Sequence, residues 1–187
     1  VGAALQDNII DIILRFRLHA VAITADLKKM YRQVLINKLD RNYQRIFWRF
    51  STNEPIQEFR LNTVTYGLAC APFVAIRCVR QLASEAVNEF REASQVLLND
   101  LYVDDILTGV SCESDAIELI NQLTTLLGSG GFEPHKWHSN CGAILGDRNR
   151  VEQSSSVAID TNNVKTLGLI WHPNGDMFEF SIKAIAN

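Results

Sequence analysis

The sequence predicts an α+β fold in which an antiparallel sheet is backed by helices, similar to a split βαβ arrangement. Short apolar runs alternate along the chain with three segments of helical periodicity. Turn-rich loops connect several of these runs in pairs, as expected for hairpins rather than for a parallel sheet. With 187 residues, 47% of them hydrophobic and 21% charged, the chain can bury the core of one domain.

A helix and a strand are predicted first. Residues 5–18 carry apolar side chains at helical spacing, at Leu5, Ile9, Ile12, Ile13 and Phe16. Alternating apolar residues from Val21 then lead to Asp26, which predicts a strand that ends in a carboxylate. A single turn over 27–31 and a short extended piece over 33–36 are expected to follow.

A hairpin is predicted next, with strands at 44–50 and 56–61 and a turn-rich loop between them. A further strand is predicted over 63–66, as far as Gly67. The hairpin admits two interpretations, a basic and aromatic surface that binds a nucleic-acid strand or a solvated strand face. The side chains concerned are Arg45, Phe47, Trp48, Arg49 and Arg60.

Two longer helices are predicted in the second half. One starts at Pro72, a favourable first-turn residue, and buries Ile76, Val79, Ala83, Val87 and Phe90. The other is capped by Ser111, ends at 128–131 and buries Ile117, Ile120, Leu123 and Leu127. Beyond it we expect an extended segment at 132–138, a loop at 139–156 and a last hairpin of 165–171 with 177–182.

Residues 97–110 are the centre of the predicted site. Two apolar runs, 97–103 and 106–110, are predicted to be buried strands that flank Asp104 and Asp105 at a hairpin turn. Adjacent carboxylates resist burial and raise each other's pKa, and a divalent cation would relieve that conflict. A solvated hairpin turn is the alternative that this pair alone leaves open.

Composition narrows the classes of function. The net charge of −3 argues weakly against a nucleic-acid binder, although an acidic metal site would add negative charge to any such protein. No uncharged apolar stretch approaches the roughly 18 residues of a membrane helix, so no membrane partner is expected. The cysteines form no CxxC pair, which predicts reduced thiols and an intracellular protein; they are Cys70, Cys78, Cys112 and Cys141.

The chain begins at Val1, its first methionine is Met30, and residues 1–14 do not have the features of a signal peptide. We therefore expect it to be a segment of a longer protein.

Several motifs follow one another in a characteristic order. Asp26 ends a strand, Tyr31 follows it, Tyr66-Gly67 precedes a helix, and Tyr102-Val103-Asp104-Asp105 forms a hairpin. Gly131-Phe132 with Lys136 and then Leu167-Gly168 complete the set. This order resembles the palm of a reverse transcriptase over essentially the whole chain. The amino-acid sequence resembles that of the Pao/BEL group of LTR retrotransposons at residues 26–33, 63–67, 71–73 and 136–137.

The resemblance implies RNA-directed DNA polymerase activity on an RNA or DNA template, with transfer from a dNTP to a primer 3′-hydroxyl. The cofactor would be two Mg²⁺ ions, or Mn²⁺ in their place, because in-line phosphoryl transfer by two metals needs only carboxylate and phosphate oxygens. By resemblance, Asp26 and Asp104 are the main ligands and Asp105 supports them. A catalytically inactive relic, or a palm that binds nucleic acid without catalysis, is the alternative, which the intact aspartates disfavour.

The resemblance also implies roles for the flanking residues. Tyr31 matches the steric gate that excludes a ribose 2′-hydroxyl, and Tyr66 with Gly67 would contact the incoming nucleotide. Position 66 is often Gln in retroviral enzymes, so the contact made by Tyr66 departs from that pattern. Lys136 corresponds to a basic residue near the leaving pyrophosphate, or else is an exposed lysine of an edge strand.

The primer grip, a hairpin that positions the primer 3′ end, is matched by Leu167, Gly168 and Trp171. Core packing explains Leu167 and Trp171 equally well. A zinc site of His135, His138 and Cys141 is a further alternative, but it lacks a suitably spaced fourth ligand, and Cys112 would be an arbitrary choice.

We expect a single reverse transcriptase fragment that spans 1–187. Its expected parts are a fingers-side helix (1–19), palm (20–36), a fingers hairpin (37–66), palm with the catalytic hairpin (67–160) and a primer-grip-like hairpin (161–187). The expected partners are a primed template, dNTPs and the missing fingers, thumb and RNase H segments. The expected location is the cytoplasm, in virus-like particles.

Overall fold

The computed structural model describes residues 2–146, 164–166 and 169–179. The helices are α1 (Ile9–Phe16), α2 (Ala71–Glu85), α3 (Arg91–Asn99) and α4 (Glu113–Ser129). The strands are β1 (Val21–Leu27), β2 (Arg45–Trp48), β3 (Gln57–Arg60), β4 (Leu101–Tyr102), β5 (Asp105–Val110), β6 (Pro134–Ser139), β7 (Val164–Thr166), β8 (Leu169–His172) and β9 (Met177–Glu179). In the described part of the chain, no helix is both long and apolar enough to cross a membrane.

The centre of the fold is a four-stranded sheet with the order β4-β5-β1-β6. Each neighbouring pair in this sheet is antiparallel. Helices α2, α3 and α4 contact one another and pack with the sheet, which confirms the predicted α+β class. Strand β1 is central, and six of its seven residues are buried, as expected for a strand covered on both faces.

The two faces of the sheet are covered by different elements. Alternate residues of β1, such as Ile23 and Ala25, lie in the core that α2, α3 and α4 share. We call this the three-helix face. Ala22 points the other way and packs with Ile12 and Phe16 of α1 and with Trp171 of β8. We call this second side the α1 face.

The predicted hairpin of 44–50 and 56–61 is confirmed as β2 and β3. All four residues of β2 are exposed, so this hairpin does not belong to the core. The strand predicted over 63–66 is wrong, because only Thr63 pairs, through a single bridge to Leu35. A left-handed backbone at Gly67, with φ of 87°, then leads toward α2.

Three predicted helices and one predicted strand need correction. Helix α1 is shorter than 5–18, because the Asn8 side chain accepts a hydrogen bond from the Ile10 amide and caps the helix there. The helix predicted from Pro72 ends at Glu85, and Val87 is exposed. Helix α4 has Cys112 rather than Ser111 as its N-cap, and Ile117 is exposed while Ala116 and Leu119 are buried.

The fourth correction concerns the strand predicted over 97–103. Leu97 and Leu98 belong to the end of helix α3, and β4 contains only two residues. Ala93, Val96 and Leu97 recur at helical spacing and are all buried, so the apolar run is one face of a helix. The expected hairpin therefore has a much shorter first strand.

The C-terminal strand predicted over 165–171 is also wrong as a single strand. Two strands, β7 and β8, lie in this part of the chain and pair with each other, and β9 then adds to β8. A three-stranded sheet of order β7-β8-β9 results, and Trp171 and Val164 from it cover the α1 face of the central sheet. The pairing of 165–171 with 177–182 is confirmed only for its described part, β8 with β9.

Candidate active site

Four polar or aromatic residues form a row across one end of the central sheet. Asp26 of β1 pairs directly with Asp105 of β5, which in turn pairs with Tyr102 of β4. On its other side, Asp26 pairs with His135 of β6. Because directly opposed residues of antiparallel strands share a face, the side chains of this row lie together on the α1 face. The register thus brings together two of the three predicted metal ligands.

Asp104 lies in the tight turn between β4 and β5. The backbone of Asp104 is fixed by β1, since its carbonyl accepts a hydrogen bond of 2.8 Å from the Leu27 amide. Val103, the first residue of the turn, has a left-handed φ of 57°. Asp104 is thereby held next to the end of the strand that carries Asp26.

The Asp104 carboxyl is in an electrostatically unfavourable place. Burial raises the pKa of Asp104 above its ordinary value, and the negative charge of Asp26 raises it further. Lys136 and His135 act in the opposite direction without cancelling these effects. Two carboxylates held close together in partly buried surroundings form an arrangement that added positive charge would stabilise.

Asp26 itself is contacted by two basic side chains of β6. His135 Nε2 lies 2.8 Å from Asp26 Oδ1, and Lys136 Nζ lies 3.5 Å from Asp26 Oδ2. Both contacts depend on an irregularity in β6, where the register with β1 slips and Lys136 takes a left-handed φ of 50°. Such a bulge re-aims the side chain of the bulged residue. Lys136 therefore lies beside Asp26 and is also exposed on the edge strand β6, so its role stays a prediction.

The sequence did not assign His135 to this site. Its spacing from His138 and Cys141 suggested only a zinc site, and sequence spacing alone gives no sign that His135 would lie opposite Asp26. In the described residues, no group of three or more His, Cys, Asp or Glu side chains has an arrangement that could hold a metal ion. Neither the predicted aspartates nor the histidines and cysteine of the zinc alternative form such a group in the part of the chain that the structure describes.

Tyr31 lies close to the carboxylates. It belongs to a short 3₁₀ turn, Met30–Gln33, that directly follows β1, and it is buried. Its ring packs edge-on against the exposed Tyr66 ring, with the centroids 4.9 Å apart. Burial, and then the charge of Asp104, raise the pKa of the Tyr31 phenol. Tyr31 and Tyr66 therefore form an aromatic pair beside the hairpin turn.

Gly67 directly follows this aromatic pair. A Cβ atom at position 67 would meet no atom within 4 Å outside the neighbouring residues of the chain, so the left-handed backbone is the feature that favours glycine here.

Comparison with known proteins shows the family of the chain. The family model described as "Reverse transcriptase (RNA-dependent DNA polymerase)" matches residues 3–170. The chain belongs to the reverse transcriptase family. No curated protein matches the chain.

A solved structure supports the same fold. The chain is similar to a foamy viral protease-reverse transcriptase determined in complex with an RNA/DNA hybrid, with a TM-score of 0.62 and 16% sequence identity. The match covers 97% of the chain but 20% of the viral chain, so the chain spans about a fifth of that protein's length. The match thus supports the predicted polymerase fold.

The predicted primer grip of this reverse transcriptase is only partly described. Leu167 and Gly168 lie outside the described residues. Trp171 is fully buried, and its ring packs edge-on against Phe16 with the centroids 5.1 Å apart. Its indole Nε1 donates to Asp176 at 3.0 Å. These contacts favour the core-packing alternative for Trp171.

We expect Trp171→Ala to lower the stability of the reverse transcriptase chain by about 3–5 kcal/mol, because it empties a large buried aromatic site. Thermal or urea denaturation measures this change. Met177→Ala is the control, because Met177 is 63% exposed in the next strand, and it should change stability by less than about 0.5 kcal/mol. A normal melting temperature for Trp171→Ala would contradict a core role and favour contact with the primer.

Proposed function

We propose that the chain is the palm and part of the fingers of an RNA-directed DNA polymerase encoded by a Pao/BEL-type LTR retrotransposon. The observation that supports this proposal most strongly is the direct cross-strand pairing of Asp26 with Asp105, beside the turn that contains Asp104. The amino-acid sequence of the motifs at residues 26–33 and 63–67 supports the Pao/BEL lineage. Since the match spans a fifth of the viral chain, we propose that the chain acts within a longer enzyme.

The proposed reaction joins the primer 3′-oxygen to the α-phosphorus of a dNTP and releases pyrophosphate. Asp26 and Asp104 would hold two Mg²⁺ ions, or Mn²⁺, with Asp105 in support, and the bound metal would neutralise the charge that develops on the phosphoryl oxygens. The raised pKa of Asp104 supports this role, since a cation stabilises the ionised carboxylate. The oxygens of Asp26 now contact His135 and Lys136, which must give way to a metal.

We assign three further residues to the substrate. Lys136 lies beside Asp26, where its ammonium could stabilise or protonate the leaving pyrophosphate. Tyr31 is the proposed sugar gate, supported by its position next to Asp104. Tyr66 is 56% exposed and packs on Tyr31, so it offers a ring face or edge to an incoming nucleotide.

The proposed partners are a primed RNA or DNA template, dNTPs and the remaining fingers, thumb and RNase H segments. The β2–β3 hairpin would contribute to template binding, because Phe47 is 74% and Trp48 is 54% exposed next to several arginines. A cleft of about 460 Å³ at its base is lined by Lys38, Arg41 and Arg60, among others. The proposed location is cytoplasmic virus-like particles.

The 187-residue chain on its own is expected to bind primer-template weakly and to extend it poorly or not at all. Its net charge of −3 provides little attraction for phosphates, and the segments that would wrap the duplex are supplied by the longer enzyme. Filter binding at low salt, with a thumb-containing version as the comparison, measures this difference. Equal affinity of the two proteins would contradict the proposal that other segments of the longer enzyme supply most contacts with the duplex.

The thumb-containing version also tests the proposed polymerase activity. The thumb-containing enzyme should add the matched dNTP to a primer on an RNA template. Tight binding of the primed template without any extension would favour the alternative, a palm that binds nucleic acid without catalysis.

A further inference from the structure

The turn that carries Asp104 has an unfavourable backbone. Val103 is β-branched and yet adopts a left-handed φ of 57°, a conformation that crowds the branched side chain. Glycine, asparagine and aspartate are the usual residues at such positions of tight hairpin turns. The local sequence therefore does not by itself favour the turn, and contacts from elsewhere in the fold must hold it.

One such contact comes from a distant part of the chain. The Val103 amide donates a hydrogen bond of 3.1 Å to Gln6 Oε1, across 97 positions of sequence. In a two-residue hairpin turn, the amide of the first turn residue has no partner within the turn itself. Gln6 supplies that partner, and its side chain is partly buried against the hairpin.

The segment around Gln6 is itself anchored to the base of the hairpin. Arg15 of α1 donates to Asp7 at 3.0 Å and to Asp100 at 2.9 Å, and it also contacts the Asn99 carbonyl. The other oxygen of Asp100 accepts from Thr108 of β5 at 2.9 Å, a bond that lies in the interior. Asp100 is 9% exposed and directly precedes β4, and through its bond with Thr108 this network ties the start of the chain to β5 and to the start of β4.

We propose that Gln6 is a positioning residue that holds Val103 at its left-handed φ in the turn and so sets the place of the Asp104 carboxylate. The proposal rests on the proposed function for its catalytic consequence. Its structural part, the dependence of the turn on Gln6, stands on the contacts alone. Gln6 touches neither substrate nor metal in this proposal, and it acts only through the backbone of residue 103.

Amide hydrogen exchange in the 187-residue chain tests the structural part. Gln6→Leu keeps the approximate volume but removes the acceptor, so exchange of the Val103 amide should accelerate by about tenfold, as expected for one lost hydrogen bond. Gln6→Glu keeps an acceptor oxygen and should retain most of the protection. Gln95→Leu is the matched control, because Gln95 is an exposed glutamine of α3, outside the hairpin. An unchanged Val103 exchange rate in Gln6→Leu would overturn the proposal.

Primer extension by the full-length enzyme tests the catalytic part. Gln6→Leu should lower kcat by about tenfold and change the dNTP KM by less than about twofold, since the loss concerns the placement of the carboxylate and not substrate binding. Val103→Gly gives the turn a residue that adopts left-handed φ without crowding. In that background, the effect of Gln6→Leu on kcat should fall to less than about twofold.

A kcat loss of the same size in both backgrounds would overturn the positioning role and indicate a general structural one. If Gln6→Leu lowers the melting temperature, Gln6→Ala repeats the comparison with a smaller side chain. Failure of the proposed function would leave the wild-type enzyme without extension activity, whereas failure of this inference leaves that activity intact. The exchange measurement decides the structural part in either case.

Discussion

Asp104→Asn is expected to abolish templated extension by the full-length enzyme while leaving the protein folded. The amide keeps the shape of the side chain but lacks the charge that a divalent cation requires, so several kcal/mol of transition-state stabilisation should be lost. Single-nucleotide extension in Mg²⁺ measures this loss. Asp11→Asn, at an exposed position of α1, is the matched control and should extend normally. Extension by Asp104→Asn at close to the wild-type rate would refute the assignment.

The same substitution, Asp104→Asn, is expected to leave the metal-free protein at least as stable as the wild type. Burial and the charge of Asp26 raise the folded-state pKa of Asp104, so the folded protein favours the protonated carboxyl. The stabilisation linked to this proton is complete below the unfolded pKa and is lost as pH rises through the folded pKa. At pH 7 the native carboxylate is therefore unfavourable, and Asp104→Asn should melt no lower than the wild type. At acidic pH, where Asp104 is protonated, any advantage of the variant should disappear.

Tyr31→Val is expected to raise incorporation of ribonucleotides relative to deoxyribonucleotides. A ring beneath the sugar clashes only with the ribose 2′-hydroxyl, so its removal changes the ratio of the two kcat/KM values instead of lowering both alike. Single-nucleotide extension with matched dNTP and rNTP measures the ratio. Leu35→Val is a suitable control, because Leu35 is exposed a few residues further along the chain.

The burial of Tyr31 gives this experiment a second readout. Tyr31 is only 9% exposed and packs on Tyr66, so replacing the ring should also lower stability, by less than the ~3–5 kcal/mol that emptying a large aromatic site costs. A melting curve of each variant separates the two effects. A lowered melting temperature with an unchanged rNTP/dNTP ratio would make Tyr31 a core residue and remove it from the nucleotide site.

The position of the central hairpin could be predicted because a carboxylate pair separates two apolar runs there, although contacts from elsewhere in the fold hold its turn. The strand predicted to end at Asp26 corresponds to β1, and the apolar run predicted as a buried strand over 106–110 corresponds to β5. Helix α3 could not be predicted in the same way, because Leu97 and Leu98 are equally compatible with a buried strand. Contacts with the neighbouring helices α2 and α4 decide between the two.

Residues that reach the site through tertiary contacts were beyond sequence reasoning. His135 contacts Asp26 only because β6 pairs with β1 in one particular register, interrupted by the bulge at Lys136. Gln6 contacts the turn across 97 positions of sequence. Neither contact leaves a local pattern, since each depends on how distant strands and loops pack.

The most direct test of the central claim is RNA-templated single-nucleotide addition by the full-length enzyme, compared between the wild type and Asp26→Asn. Asp26 lies at the centre of the proposed site, because it pairs with Asp105 of β5 on one side and with His135 of β6 on the other. We expect the wild type to add only the dNTP that matches the template, in the presence of Mg²⁺, and the variant to add none. Equal addition by both proteins, or addition that ignores the template, would contradict the proposal that these aspartates carry RNA-directed DNA synthesis.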